Sequence, residues 1–167
     1  MPPFEEAPET GATFEENALA KARDGYTATG LPTVADDSGI TVAALNGMPG
    51  VLSARWAGVH GEDDANNALL LAQLRDVPDE RRSAAFVSAC ALVYGPGDSD
   101  NAVVRGEWPG VIAREPAGAG GFGYDPLFVP DGETRSAAQL TPQEKDAASH
   151  RGRALALLIP ELSALVS

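Results

Sequence analysis

Thr33-Val34-Ala35-Asp36-Asp37-Ser38-Gly39 is the stretch on which the reading of this chain turns. An apolar, β-branched run meets two adjacent carboxylates, a hydroxyl and a glycine. Just beyond, Ile40, Val42 and Ala44 alternate with Thr41, Ala43 and Leu45, the pattern of a second short strand. The acidic pair is therefore expected where one strand ends and another begins. Successive strand side chains point to opposite faces, so Asp36 and Asp37 should diverge. Two carboxylates at a strand end suit a hard cation such as Mg²⁺, which takes oxygen ligands and keeps several waters. The same residues also suit a plain acidic turn, because Asp, Ser and Gly all form turns.

Working outward, Thr13-Phe14-Glu15-Glu16 upstream matches a capping box, with Thr13 as N-cap and Glu16 reaching back to it. Phe14, Ala18, Ala22 and Tyr26 recur every four residues, which predicts a helix of about four turns with that stripe inward. Gly30-Leu31-Pro32 stops it and leads into the strand. Residues 1–12, rich in Pro, Glu and Gly, read as an extended lead-in.

Downstream, Asn46-Gly47-Met48-Pro49-Gly50 reads as a loop, and Val51 to Gly58 has no clear period. Glu62 to Leu74 predicts a helix with Ala65, Leu69 and Ala72 on one face. Ser83 to Tyr94 is a long β-like run. Ala102-Val103-Val104 and Val111-Ile112-Ala113 predict two further strands, separated at Trp108-Pro109-Gly110, and Leu127-Phe128-Val129 another. Thr141-Pro142-Gln143-Glu144 reads as an N-cap, a proline at N1 and a short helix. Ser149 to Leu165 predicts a last amphipathic helix with Leu155, Leu158, Leu162 and Leu165 inward.

The chain has 167 residues, enough for one domain with a real core, and no linker or repeat divides it. Its net charge of −12 argues against a protein that grips nucleic acid by its phosphates. A nucleotide needs only a few local cations, and the rest of the surface can stay acidic. No apolar run is long enough to span a bilayer. The lone Cys90 sits in an apolar run and fits a reducing, cytoplasmic setting.

Glu9 and Asp37 make the best candidate metal pair, with Asp36 in support, although a glutamate in a loose lead-in is ordinarily a solvated acid. Four glycines between Ala117 and Pro126 let a backbone approach a phosphate closely, or simply build a flexible turn. The segment has neither P-loop nor dinucleotide-binding spacing. Phe122 and Tyr124 flank Gly123 and could stack on a base or join the core. His150 and Arg151 sit where cations oppose a helix dipole, a place that suits an acceptor-rich ligand or a solvated first turn. There are too few His and Cys for a zinc site, and Ser38 lies in no nucleophile elbow.

Together, and in order, five stretches are far more specific. They are Glu9-Thr10-Gly11-Ala12-Thr13-Phe14-Glu15-Glu16-Asn17-Ala18, Leu31 to Gly39, Pro49-Gly50-Val51-Leu52-Ser53-Ala54-Arg55-Trp56, Gly121-Phe122-Gly123-Tyr124-Asp125-Pro126-Leu127-Phe128, and Glu144-Lys145 with Ser149-His150-Arg151-Gly152. The chain resembles, over nearly its whole length, the non-canonical purine nucleoside triphosphate pyrophosphatases, also called inosine/xanthosine triphosphatases. The resemblance implies an α/β fold with a long, mixed, twisted central sheet, flanking helices and two lobes around a cleft. It implies a Mg²⁺-dependent homodimer that converts ITP, dITP and XTP to the monophosphate and pyrophosphate. It assigns Asp37 as the catalytic carboxylate, Glu9 with Asp37 to the metal, and Ser38 to the nucleotide. It places Phe122, Gly123, Tyr124 and Asp125 around base and ribose, and Lys145, His150 and Arg151 on the base.

The family opens with a short strand and a Thr/Ser-x-Asn-x-x-Lys loop that supplies a triphosphate-binding lysine. Nothing of that kind precedes Glu9, so the expectation is one domain over 1–167 that starts late. A protein truly without the loop would bind purine nucleotides with impaired catalysis.

Overall fold

The apolar run after Arg82 becomes the central strand of the sheet, β2 (Ser83–Val93), because nearly every residue along it is buried. The structure is a computed structural model and describes residues 8–166. Helix α1 (Phe14–Thr29) precedes strand β1 (Thr33–Val42), and helix α2 (Asp63–Gln73) leads to β2. Strands β3 (Asn101–Ile112) and β4 (Phe128–Pro130) follow, then helices α3 (Pro142–Ala148) and α4 (His150–Val166). The four strands lie in the order β1-β2-β3-β4, and every pairing is antiparallel. Among the described residues the sheet is thus antiparallel rather than mixed. The strands follow one another as neighbours and need no crossover helix.

Two strand breaks expected from turn residues do not occur. Asp36 to Ile40 continues as one strand, with Asp37 opposite Ala89 and Ile40 opposite Phe86. The chain leaves the sheet only at Ala43–Leu45, a 3₁₀ turn. Likewise β3 runs straight through Pro109-Gly110. The Pro109 carbonyl accepts from Asp131 N at 3.0 Å, so its ring nitrogen faces the same edge, beyond the end of β4, where no ladder partner is lost. Tertiary pairing overrides local turn propensity at both places.

Alternation along the strands sorts the core into layers. Val87, Ala89, Ala91 and Val93 face α1 and pack on Phe14, Ala18 and Ala22. Cys90 and Leu92 face α4 and pack on Ala154 and Leu158. Ile40, Phe86, Trp108, Phe128, Leu70 and Leu74 fill the remainder. The predicted stripe of α1 is the buried one. Its capping pattern is displaced by one residue: Glu16 N–H donates to Thr13 Oγ1 at 3.1 Å, while the Glu16 carboxylate accepts from Ala12 N at 2.7 Å. On α2 and its C-cap the buried face is Asn66, Leu70 and Leu74, one or two positions on from the predicted Ala65, Leu69 and Ala72, because Asn66 has a specific bonding task described below. On α4 the inward positions are Ala154 and Leu158, whereas Leu155 is exposed. The side chain of Leu165 and residues 1–7 of the lead-in lie outside the described residues.

Ala154 is inward because α4 lies directly on β3. A methyl built on Gly106 would stand 2.5 Å from the Ala154 nitrogen and closer still to the His150 carbonyl. Gly106→Ala should therefore lift α4 off the sheet and cost about 1–3 kcal/mol, the usual range for overpacking. Urea unfolding monitored by circular dichroism measures this, and an unchanged midpoint would contradict the packing.

Candidate active site

On the α1 face of β1, Asp37 is buried among polar groups. Its Oδ2 accepts from Asn17 Nδ2 at 3.0 Å, and its Oδ1 lies 3.6 Å from Lys21 Nζ. Asn17 in turn accepts from Gly11 N at 2.8 Å, which ties the segment carrying Glu9 to Asp37. Lys21 ion-pairs with Glu9 and donates to the Asp36 carbonyl at 3.2 Å. Arg55 reaches the Glu9 carbonyl at 3.4 Å and its carboxylate at 3.9 Å. Burial, with Glu9 nearby, pushes the Asp37 carboxyl up, against the opposing pull of Asn17 and Lys21. Burial pulls the Lys21 ammonium down, but Glu9 and Asp37 outweigh it and hold the lysine above its usual range.

The other face of β1 opens into a cavity of about 630 Å³. Ser38, Phe122, Gly123, Tyr124, Asp125, Lys145, His150 and Arg151 all line it. Asp125, 2% exposed, ion-pairs with Lys145 and accepts from Phe122 N at 2.9 Å. The exposed Phe122 ring carries two cations, with Lys145 Nζ 4.5 Å and Arg151 Cζ 5.3 Å from its centroid. Tyr124 donates to the Ser53 carbonyl at 2.7 Å, and burial pushes its phenol well above the ordinary range. The Ser38 hydroxyl lies 3.0 Å from Ser88 Oγ and 3.2 Å from Asp36 Oδ2.

His150 behaves differently from the cation the sequence suggested. It is buried and stacked on Phe86, with centroids 5.0 Å apart and planes at 17°. Among the described residues its Nδ1 has no hydrogen-bond partner. Burial, aided by Arg151 and Lys145, lowers its pKa from 6.5 to about 3. A neutral ring does not oppose the dipole of α4, which removes the cost expected there. Between pH 3 and 6.5 the unfolded chain binds a proton at this side chain that the folded chain does not. The contribution of His150 to stability is thus complete above 6.5 and is lost as pH falls toward 3. Proton NMR of the imidazole should show no titration from pH 8 to about 5; a midpoint near neutrality would contradict this burial.

The single cleft expected around Glu9, Asp37, His150 and Arg151 is divided by β1. Glu9 and Asp37 stand together on the α1 face, while His150 and Arg151 stand on the other with Ser38. Asp36, a candidate support for the metal pair, turns its carboxylate to the Ser38 side of the strand instead, 3.6 Å from Arg151 Nε. Alternation is the reason: Asp36 and Ser38 share one side of the strand, Asp37 the other. The two sites meet around the edge of β1, where Lys21 touches the Asp36 backbone.

Sequence reasoning missed Asn17, Lys21 and Arg55. For the first two a signal existed: Asn17 and Lys21 are four residues apart, a polar stripe beside the apolar one on α1. Arg55 lies in a 3₁₀ segment, Gly50–Arg55, with no period to read. Among the described residues no group of three or more His, Cys, Asp and Glu side chains could hold a metal. Nor is any helix long and apolar enough to cross a membrane.

Known proteins resemble the chain in both sequence and fold. The dITP/XTP pyrophosphatase of Nocardia farcinica is 77% identical over 165 residues, which span 99% of this chain and 79% of that protein. The protein of the same name from Mycobacterium tuberculosis is 73% identical, spanning 99% and 79%. The crystal structure of a nucleoside-triphosphatase / dITP/XTP pyrophosphatase from Mycobacterium abscessus superposes with a TM-score of 0.82 at 69% identity, covering 96% of this chain and 81% of that one. A HAM1 protein from Coxiella burnetii gives a TM-score of 0.90 at 48% identity, with 96% and 81% covered. The profile of the Ham1 family matches residues 1–161. A profile match over nearly the whole chain, together with relatives this similar along the same residues, establishes that the chain belongs to the Ham1 family.

Proposed function

We propose that this chain hydrolyses non-canonical purine nucleoside triphosphates (ITP, dITP and XTP) to the monophosphate and pyrophosphate, clearing them from the nucleotide pool. The observation that carries this reading is the pair of sites around one strand. One is an aromatic and cationic cavity with ample room for a purine base, the other a pair of carboxylates with a lysine and an arginine. The names of the relatives, dITP/XTP pyrophosphatase, support the same substrates.

In the cavity, O6 of hypoxanthine or xanthine is an acceptor, whereas adenine presents an N6 donor at that position. The Lys145 and Arg151 cations favour the keto base and leave adenine facing an unpaired donor, the kind of mismatch that discriminates strongly. His150, being neutral, contributes shape and at most one donor. Phe122 supplies a face on which the base stacks.

On the α1 face, Asp37 acts as general base toward the attacking water. Asn17 holds one carboxylate oxygen, so Oδ1 is the one available to take the proton. Lys21 and Arg55 offset the phosphate charge. The donor set fits Mg²⁺: Glu9 and Asp37 offer only oxygen ligands and already share one cationic partner, Lys21. Mg²⁺ typically binds one or two carboxylates and completes its shell with waters and substrate phosphates. When bound there, it would supply charge neutralisation for the phosphates. We also read the protein as a cytoplasmic homodimer. The exposed Leu155 and Ile159, one turn apart on α4, support a covered face, which sedimentation can check.

Pyrophosphate release from ITP, dITP, XTP, GTP and ATP with Mg²⁺ tests the assignment. Turnover should favour the first three, and a chain that cleaves none of them would overturn the assignment. EDTA should abolish release and added Mg²⁺ restore it; turnover undiminished by the chelator would remove the metal from the mechanism.

A further inference from the structure

We propose that Asp63 and Asn67, on the first two turns of α2, are positioning residues that grip the backbone of Gly123 from both sides and so set the shape of the nucleobase pocket. The proposal rests on reading the 630 Å³ cavity as that pocket. Gly123 N–H donates to Asp63 Oδ2 at 2.7 Å, and Asn67 Nδ2 donates to the Gly123 carbonyl at 2.8 Å. The same residue is thus held by its donor and its acceptor, from two side chains one turn apart. Asn67 uses its other N–H on the Asp63 carbonyl at 2.9 Å. Its Oδ1 is left buried with no partner among the described residues. A side chain that leaves a buried oxygen unpaired in order to donate twice is committed to that orientation.

The grip matters because the loop is otherwise easy to deform. Gly123 sits at φ 59°, a conformation open to glycine at little cost and to other residues rarely. Phe122 N–H is held by Asp125, and Phe122 carbonyl accepts from Asp125 N at 3.2 Å. With the Gly123 amide and carbonyl also taken, neither backbone group at 123 is left free to reorient toward a ligand. Base recognition then falls to side chains whose place the loop dictates, Phe122 above all. The preceding residue of α2 extends the frame: Asn66 accepts from Ala57 N at 2.7 Å and donates to the Ala54 carbonyl at 3.1 Å. Helix α2 therefore fastens the base loop to the segment that carries Arg55. Pre-forming the pocket in this way lowers the ordering cost of binding.

The test uses Asp63→Ala, Asp63→Asn, Asn67→Ala and the Asp63→Ala/Asn67→Ala pair in the full chain. Losing a hydrogen bond to a charged group should raise KM for dITP by about tenfold or more in Asp63→Ala, with a smaller change in kcat. The preference for dITP over ATP should shrink by a similar factor, while inhibition by inorganic pyrophosphate stays within about twofold. Asp63→Asn keeps an acceptor for Gly123 N–H and should recover most of the loss. The double variant should fall short of the product of the singles, since both act on one residue. Three results would overturn the positioning role: an unchanged dITP-to-ATP ratio, equal losses for dITP and pyrophosphate, or an Asp63→Asn as impaired as Asp63→Ala. If the wild-type chain binds no inosine nucleotide at all, the reading of the cavity fails and this proposal with it. If it binds one with an affinity indifferent to the variants, only this proposal fails.

Discussion

Asp37→Asn should lower kcat for dITP by roughly 10²–10⁴-fold, the usual contribution of a placed general base. The expectation follows from burial and bonding. Asn17 fixes one oxygen of Asp37 and points the other toward Lys21, so the reactive atom has a defined position. Burial raises its pKa above the ordinary 3.8, which makes it a better proton acceptor than an exposed aspartate. An amide keeps the shape and can still accept from Asn17, but it cannot take a proton from water. Stability should therefore hold within about 1 kcal/mol, since a buried charge is removed with no cavity left behind. Pyrophosphate release and a thermal melt on the same sample separate the two effects. Near-normal turnover would take Asp37 out of the catalytic role.

Lys145→Met should cut kcat/KM for dITP by about 100-fold and leave ATP almost unaffected, so that the preference between them collapses. Two losses combine. The substrate loses a charged donor at the keto oxygen, and Asp125, 2% exposed, loses its cation while keeping only the Phe122 N–H. Lys145 also lies over the Phe122 ring, so the stacking face becomes free to move. Lys145→Arg should rescue only partly, because a planar fork does not occupy the place of a compact ammonium. Steady-state kinetics with both nucleotides measure the ratio. A ratio unchanged in Lys145→Met would leave the ion pair with Asp125 a purely structural contact.

The local elements were largely legible. Thr13 as cap, the stripe of Phe14, Ala18 and Ala22, the proline start of α3 and the long run of β2 all follow from short-range patterns. Errors arose where long-range pairing competed with local chemistry. Asp36 to Gly39 and Pro109-Gly110 look like turns, yet each lies within a strand whose neighbours hold it extended. The face of α2 was misread by one or two positions, because Asn66 and Asn67 look like surface residues until their partners at Ala54, Ala57 and Gly123 are seen.

Sequence alone determined which side chains are the candidates for the chemistry and which family the chain belongs to, since residue types in a fixed order survive without any knowledge of geometry. Only the tertiary structure decided that Asp37 and Ser38, adjacent in the chain, face opposite sides of β1. It also decided that Lys21 stands between Glu9 and Asp37, and that His150 is a neutral, stacked ring. Each of those depends on which face of β1 a residue takes and on what packs there. That is set by antiparallel register and burial across segments distant in sequence, which no local pattern encodes.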